Sequence, residues 1–267
     1  MTTSTPWWLG WTIDEGNPVK AVRNRPDLAD DIRRQIALDP PRFRGVLHSW
    51  AVPAAALAGV YAVIRAPGGW PRVLVAIYGV CLVAMYLFSA TFHRRQWSDD
   101  GWWRMRQLDH TGIYLVIAGS FTGIAGLALD GTPRAVLLSM VWLVTLVGVA
   151  YRWSPLVPPF GMMTLLFVLL TALVVPFLGR LGSALGAGAI TVLMVGCAVY
   201  LVGALMLGAR KPDPWPQVFG YHEVWHVFVV VGSILHYIVL IAYAIPAAEE
   251  LRESAWASAH GFQSLNL

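Results

Sequence analysis

Three short groups of residues in this chain carry side chains that can do chemistry together. Tyr221-His222-Glu223-Val224-Trp225-His226 holds two histidines four residues apart. In a helix that spacing projects both imidazoles from one face. It is the spacing at which two of them share one metal ion, with Zn²⁺ the usual occupant. Ser89 and His93 repeat the interval, and Asp109 adds a carboxylate beside a long apolar run. One Asp, one Ser and three His are what a three-histidine zinc site with an open fourth position needs. Zinc held by His93, His222 and His226 would make water nucleophilic near neutral pH. Asp109 would orient that water and accept its proton. Ser89, one turn from His93, would donate a hydrogen bond to an oxyanion forming on a substrate carbonyl.

These residues are far apart in sequence, so folded elements must bring them to one level. The chain is 57% hydrophobic and only 13% charged, where a soluble domain carries roughly a quarter charged residues. Its apolar residues come in blocks of about 20, each long enough for a hydrocarbon core of roughly 30 Å. The expected fold is an all-α membrane protein, a seven-transmembrane helical bundle. The spans fall near Phe43–Ile64, Pro71–Phe92, Asp109–Leu129, Arg134–Tyr151, Pro159–Leu178, Leu185–Leu207 and His222–Ile245. Ser89 and His93 then end the second span, Asp109 opens the third, and His222 and His226 open the seventh. All five lie at one face of the membrane. Gly119, Ser120, Gly123 and Gly126 let the third helix approach its neighbours closely. Pro53, Pro176 and Gly196 are tolerated inside spans because neighbouring helices satisfy the freed backbone groups.

Basic residues set the orientation. Lys20, Arg23, Arg25, Arg33, Arg34, Arg42 and Arg44 precede the first span, and Arg94, Arg95, Arg104, Arg106, Arg152, Arg210 and Lys211 fall on the same side. That bias puts the N-terminus in the cytoplasm and the C-terminus outside. The net charge of +4 therefore reports topology, and no nucleic-acid partner is implied. Three regions result: a polar cytoplasmic tail over 1–42, a membrane domain over 43–245 and an extracytoplasmic tail over 246–267. Leu28, Ile32 and Ile36 within Pro26–Leu38 have the spacing of an amphipathic helix on the membrane surface, and a solvated tail is the alternative. Cys81 and Cys197 stand in no ligand pattern and read as core or lipid-facing residues. Trp102 and Trp103 read as interface anchors.

Ser89-Ala-Thr-Phe-His93, Leu108-Asp109-His110-Thr-Gly-Ile113 and Gly220-Tyr-His222-Glu-Val-Trp-His226 resemble the signature segments of the haemolysin III proteins. These are the bacterial branch of the progestin and adipoQ receptor family, grouped with the alkaline ceramidases. Arg44-Gly45-Val46-Leu47-His48 is similar to the family's first-span motif, and the likeness extends from about Arg42 to Ile245. It implies that Ser89, His93, Asp109, His222 and His226 are the zinc-site residues, with Asp109 acting through water. It also implies a multi-pass protein of the cell membrane that takes a membrane lipid, ceramide-like, as substrate or ligand. One departure stands out: Gly119-Ser120-Phe121-Thr122 is followed by Gly123 where the family usually has proline.

Other readings stay open on the residues alone. His222-Glu223-Val224-Trp225-His226 also matches H-E-x-x-H, in which the Glu is the base of a zinc peptidase; Glu223 otherwise caps its helix or faces the headgroups. A sensor or receptor-like protein would use the same zinc structurally. Membrane permeabilisation is a third reading, opposed by how few charged residues line the deep part of any span. His48 and His236 read as buried, hydrogen-bonded histidines, with His48 near enough to support the ligands. His110, about 100° round the helix from Asp109, is expected to face a neighbouring helix.

Overall fold

A computed structural model of the chain describes residues 41–154 and 162–260. The Pro26–Leu38 segment and the chain beyond His260 lie outside them. Among the described residues the regular elements are helical, apart from one isolated bridge between Trp215 and Phe219. Helix α1 runs Val46–Arg65, α2 Trp70–Arg94, α3 Asp99–Ala128 and α4 Gly131–Trp153. Helix α5, Met162–Ala172, and a 3₁₀ turn at Val175–Phe177 lead to α6, Leu178–Ala209. Helix α7 covers Tyr221–Val239, and a π turn at Leu240–Ala244 joins it to α8, Ile245–Ala259. Among the described residues, six stretches are long and apolar enough to cross a membrane.

The helices depart from the expected spans where an apolar run is not the whole helix. Asp109 does not open its helix: α3 starts at Asp99, where the Ser98 side chain accepts from the Gly101 N–H. Trp102, Trp103, Arg104 and Arg106 therefore stand on its first turns and not in a loop. Pro176 does not continue a span either. The α5 helix stops at Ala172, and the proline, which has no N–H to donate, sits in the 3₁₀ turn. A second break follows at Gly186, whose φ of 82° and ψ of 163° interrupt α6; glycine takes such a conformation without the Cβ clash other residues meet. At the far end the helix runs past Ile245 to Ala259. Pro246 would clash with the turn before it, and the π turn widens the helix there.

Helix α3 is the centre of the bundle. Two thirds of its apolar window (67%) is buried, against 22% for α1 and for α4. It packs on α2 and on the π turn after α7 around one cluster containing Tyr78, Leu82, Met85, Val116, Ile124 and Leu240. Its other side joins α4 and α5 around Tyr114, Ala118, Leu137, Val141 and Leu170. Central placement keeps its polar side chains out of lipid, where they would be costly. Thr111, Ser120 and Thr122 each donate to the carbonyl one turn back.

The small residues of α3 do what their spacing suggests. A Cβ on Gly119 would stand 2.6 Å from the Cys81 Cβ, and one on Gly112 would stand 2.9 Å from the Met85 Cα. The α2–α3 contact thus depends on missing side chains. Gly119→Val should force the two helices apart and cost about 1–3 kcal/mol, measured as a lower unfolding midpoint in detergent. An unchanged midpoint would show that the contact is looser than these distances.

Candidate metal centre

Ser89, His93, His222 and His226 are carried near helix ends and Asp109 lies ten residues into α3; local interactions fix where those ends lie. The last turns of α2 carry Ser89 and His93; the first turns of α7 carry His222 and His226. Glu223 reaches back to the Gly220 N–H at 2.8 Å. Asp213 accepts from the Tyr221 N–H at 2.9 Å. Negative charge on these first N–H groups suits a helix start. The Arg44 guanidinium donates to the other Glu223 oxygen, tying the approach to α1 onto α7. Backbone bonds from Arg42 to Gln217 and from Phe43 to Val218, both 3.1 Å, strengthen that tie. Gly45, at φ 71°, passes so near α2 that an added Cβ would lie 2.7 Å from the His93 Cβ. The starts of α1 and α7 and the end of α2 are thereby drawn to one place.

At that place the three histidines meet. His93 Nε2 and His222 Nε2 are 3.2 Å apart, and one nitrogen from each of His93, His222 and His226 lies within 4.8 Å of the others. Ligands about 2.05 Å from a tetrahedral ion sit about 3.3 Å apart. The His93–His222 pair already has that separation, and His226 needs only a small closure. The donor set fits a metal ion. Asp109 Oδ2 stands 3.9 Å from His93 Nε2, too long for a direct hydrogen bond and short enough for a bridging water. The buried Ser89 side chain and the Asp109 carboxylate line one cavity. It has a volume of about 70 Å³ and is walled also by His222 and His226 with apolar Met85, Ile113, Leu207 and Val229.

Two further histidines belong to this cavity wall. His48 is buried, as expected, but neither ring nitrogen has a hydrogen-bond partner among the described residues. It stacks on His226 instead, with centroids 3.9 Å apart and planes 14° from parallel. His110 does face a neighbouring helix, since Arg152 Nε donates to its Nδ1 at 2.9 Å, yet the ring also lines the cavity. Sequence reasoning set His110 aside because it lies 100° from Asp109. A cavity enclosed by several helices subtends more than that angle, so adjacent residues can share it. The Arg44-x₃-His48 spacing was the available signal for His48. His236, far along α7, is also buried; its Nε2 lies 3.8 Å from Cys197 Sγ and its Nδ1 has no partner among the described residues. Trp103 is buried and not an interface anchor; its indole packs 5.2 Å from the Arg152 guanidinium.

Glu223 caps its helix as expected, but it is buried and paired, so it does not face the headgroups. Both its oxygens are engaged, by Arg44 and by Gly220, and it does not wall the cavity. Glu223→Gln should lower stability by about 1–3 kcal/mol, because Arg44 loses its charge partner while keeping some solvent contact. Specific activity of the folded fraction should be unchanged. A 10²-fold fall in that activity would instead make Glu223 the base.

Comparison with known proteins gives one consistent result. A family model described as haemolysin-III related matches residues 37–237, which include every residue of the centre. The chain is 27% identical over 176 residues to "Hemolysin-3" of Bacillus cereus, covering 66% of this chain and 77% of that one. It is 25% identical over 217 residues to the "Hemolysin-3 homolog" of Bacillus subtilis, covering 80% and 96%. The human "Monocyte to macrophage differentiation factor" is 24% identical over 186 residues, covering 65% and 71%.

Proposed function

The chain belongs to the haemolysin-III-related family, and from that premise we propose a zinc-dependent hydrolase that cleaves an amide or ester bond of a ceramide-like membrane lipid. The observation that carries it is the convergence of three imidazoles on one point beside a cavity that also holds a carboxylate. His93, His222 and His226 would hold the ion. Zinc, when bound, supplies a Lewis acid that polarises a carbonyl and acidifies water. Asp109 orients the attacking water and takes its proton as the new C–O bond forms. Ser89 donates to Asp109 in the resting site; once Asp109 is protonated, that hydroxyl is free for the carbonyl oxygen. Asp109 then returns the proton to the departing amine or alcohol as its bond to carbon breaks. Met85, Ile113, Leu207 and Val229 offer an apolar wall to an acyl chain.

The membrane frame completes the reading. The stretch Leu165–Ala209 has 45 residues, about 68 Å as one straight helix against a hydrocarbon core of roughly 30 Å. The breaks at Pro176 and Gly186 support two spans there, seven in all. The basic bias supports a cytoplasmic N-terminus, a C-terminus outside and a site at the inner leaflet of the plasma membrane.

Two observations weigh against the rival readings. Glu223 is occupied elsewhere, which disfavours a peptidase. Few charged residues line the deep part of any span, which disfavours an open aqueous pore. One reading of a different class keeps support: an ion tying α2 to α7, with His226 stacked on His48, suits a sensor with structural zinc. The decisive test is release of fatty acid from an N-acyl or O-acyl lipid in mixed micelles by purified protein. Release should be abolished by a chelator and restored by zinc. A zinc-loaded protein that releases none would refute the proposal.

A further inference from the structure

The cavity wall carries two imidazoles that the proposed reaction does not use; His48 is stacked on His226, and the other is His110. Its Nδ1 faces Arg152 Nε at 2.9 Å. A guanidinium has donors only and keeps its proton in proteins, so Nδ1 must be the acceptor in this bond. The neutral ring then carries its hydrogen on Nε2, and the ring lines the cavity. Arg152 is itself firmly held. It is 1% exposed, its carbonyl accepts from Gln107 Nε2 at 3.1 Å, and its guanidinium lies 5.2 Å over the Trp103 ring. Its Nη1 and Nη2 have no hydrogen-bond partner among the described residues. Burying an arginine with two nitrogens unpaired is costly, and packing alone is a poor reason to keep one.

We propose that Arg152 locks His110 as the Nε2–H tautomer, making it a fixed hydrogen-bond donor to the carbonyl or carboxylate oxygen of an acyl lipid in the cavity. The ligand class rests on the hydrolase reading above; the tautomer does not. The site has need of such a donor. Ser89 has one hydroxyl proton, and in the proposed reaction its donation to the Asp109 carboxylate engages that proton until Asp109 is protonated. His110 Nε2–H is available from the moment the acyl group arrives. Arg152 acts only through His110 and is a positioning residue.

Two measurements test this. In zinc-loaded protein labelled with ¹⁵N-histidine in detergent micelles, imidazole nitrogen shifts report the tautomer, and His110 is the signal lost in His110→Phe. The expected result is Nε2–H in the native protein and a mixture of tautomers in Arg152→Met. An Nδ1–H ring in the native protein would overturn the proposal even if Arg152→Met failed to fold, as would an Arg152→Met spectrum identical to the native one. The second measurement is binding of oleate, as a carboxylate probe, together with zinc content. His110→Phe should weaken binding about tenfold with zinc unchanged, and His110→Gln should recover most of it through its amide N–H. Equal binding by His110→Phe, or no binding by the native protein, would refute the donor role. Oleate bound through His110 with no lipid hydrolysed would sink the hydrolase and leave the donor standing. Full turnover by His110→Phe would do the reverse.

Discussion

Asp109→Asn should lower lipid hydrolysis by about 10²–10⁴-fold, the range expected when a general acid–base group is removed, while the purified protein keeps its zinc. Asparagine preserves the shape of the side chain and one acceptor oxygen but takes up no proton at neutral pH. The carboxylate stands 3.9 Å from His93 Nε2, outside the distance of a direct bond to the ligand set and within reach of one intervening water. Metal affinity should therefore fall far less than the rate. This combination separates a reaction from a scaffold. A protein in which the ion only joins helices would keep its activity, its metal and its unfolding midpoint when Asp109 becomes Asn. The readout is initial rate of fatty-acid release beside zinc per chain, and a variant at full rate would remove Asp109 from the chemistry.

His226→Ala should empty the centre. Losing an outer partner of a ligand costs roughly 10–100-fold in metal affinity, and losing one of three direct imidazoles should exceed that. Zinc per chain should drop from about one toward zero after dialysis, and hydrolysis should fall to background. His226 is 2% exposed and lies face to face with His48, so the truncation also leaves a hole and strips a stacking partner. A loss of stability of about 2–4 kcal/mol is the expected companion effect. His93→Ala serves as the control, since it removes a ligand and keeps both rings of the His48–His226 stack. The two variants should match in zinc content and differ in unfolding midpoint. Zinc retained by both would place the ion elsewhere.

Much of the centre was legible from spacing. His222 and His226 share a helix face at any depth, and so do Ser89 and His93, because four residues return a helix nearly to the same angle. Long apolar blocks made them membrane-embedded, and a polar group there is rarely without purpose. What spacing does not carry is where a helix starts. The apolar run of α3 begins at Asp109, but the helix begins ten residues earlier at Asp99, after its Ser98 cap. Amphipathic turns carry no hydropathy signal, so Trp103 passed for an anchor although it packs under Arg152. The same blindness covers Glu223, whose buried pairing with Arg44 joins residues at opposite ends of the membrane domain.

By itself the sequence determined the class of protein, the candidate site residues and which of them share a face, since these follow from composition and helical period. Only the tertiary structure decided that His48 lies flat on His226, that His110 accepts from Arg152, and that both rings wall one cavity. The physical reason is that a helix face is a property of one segment. A cavity is a property of several packed together, through close approaches such as Gly45 on His93 and Gly119 on Cys81 that no single stretch of chain records.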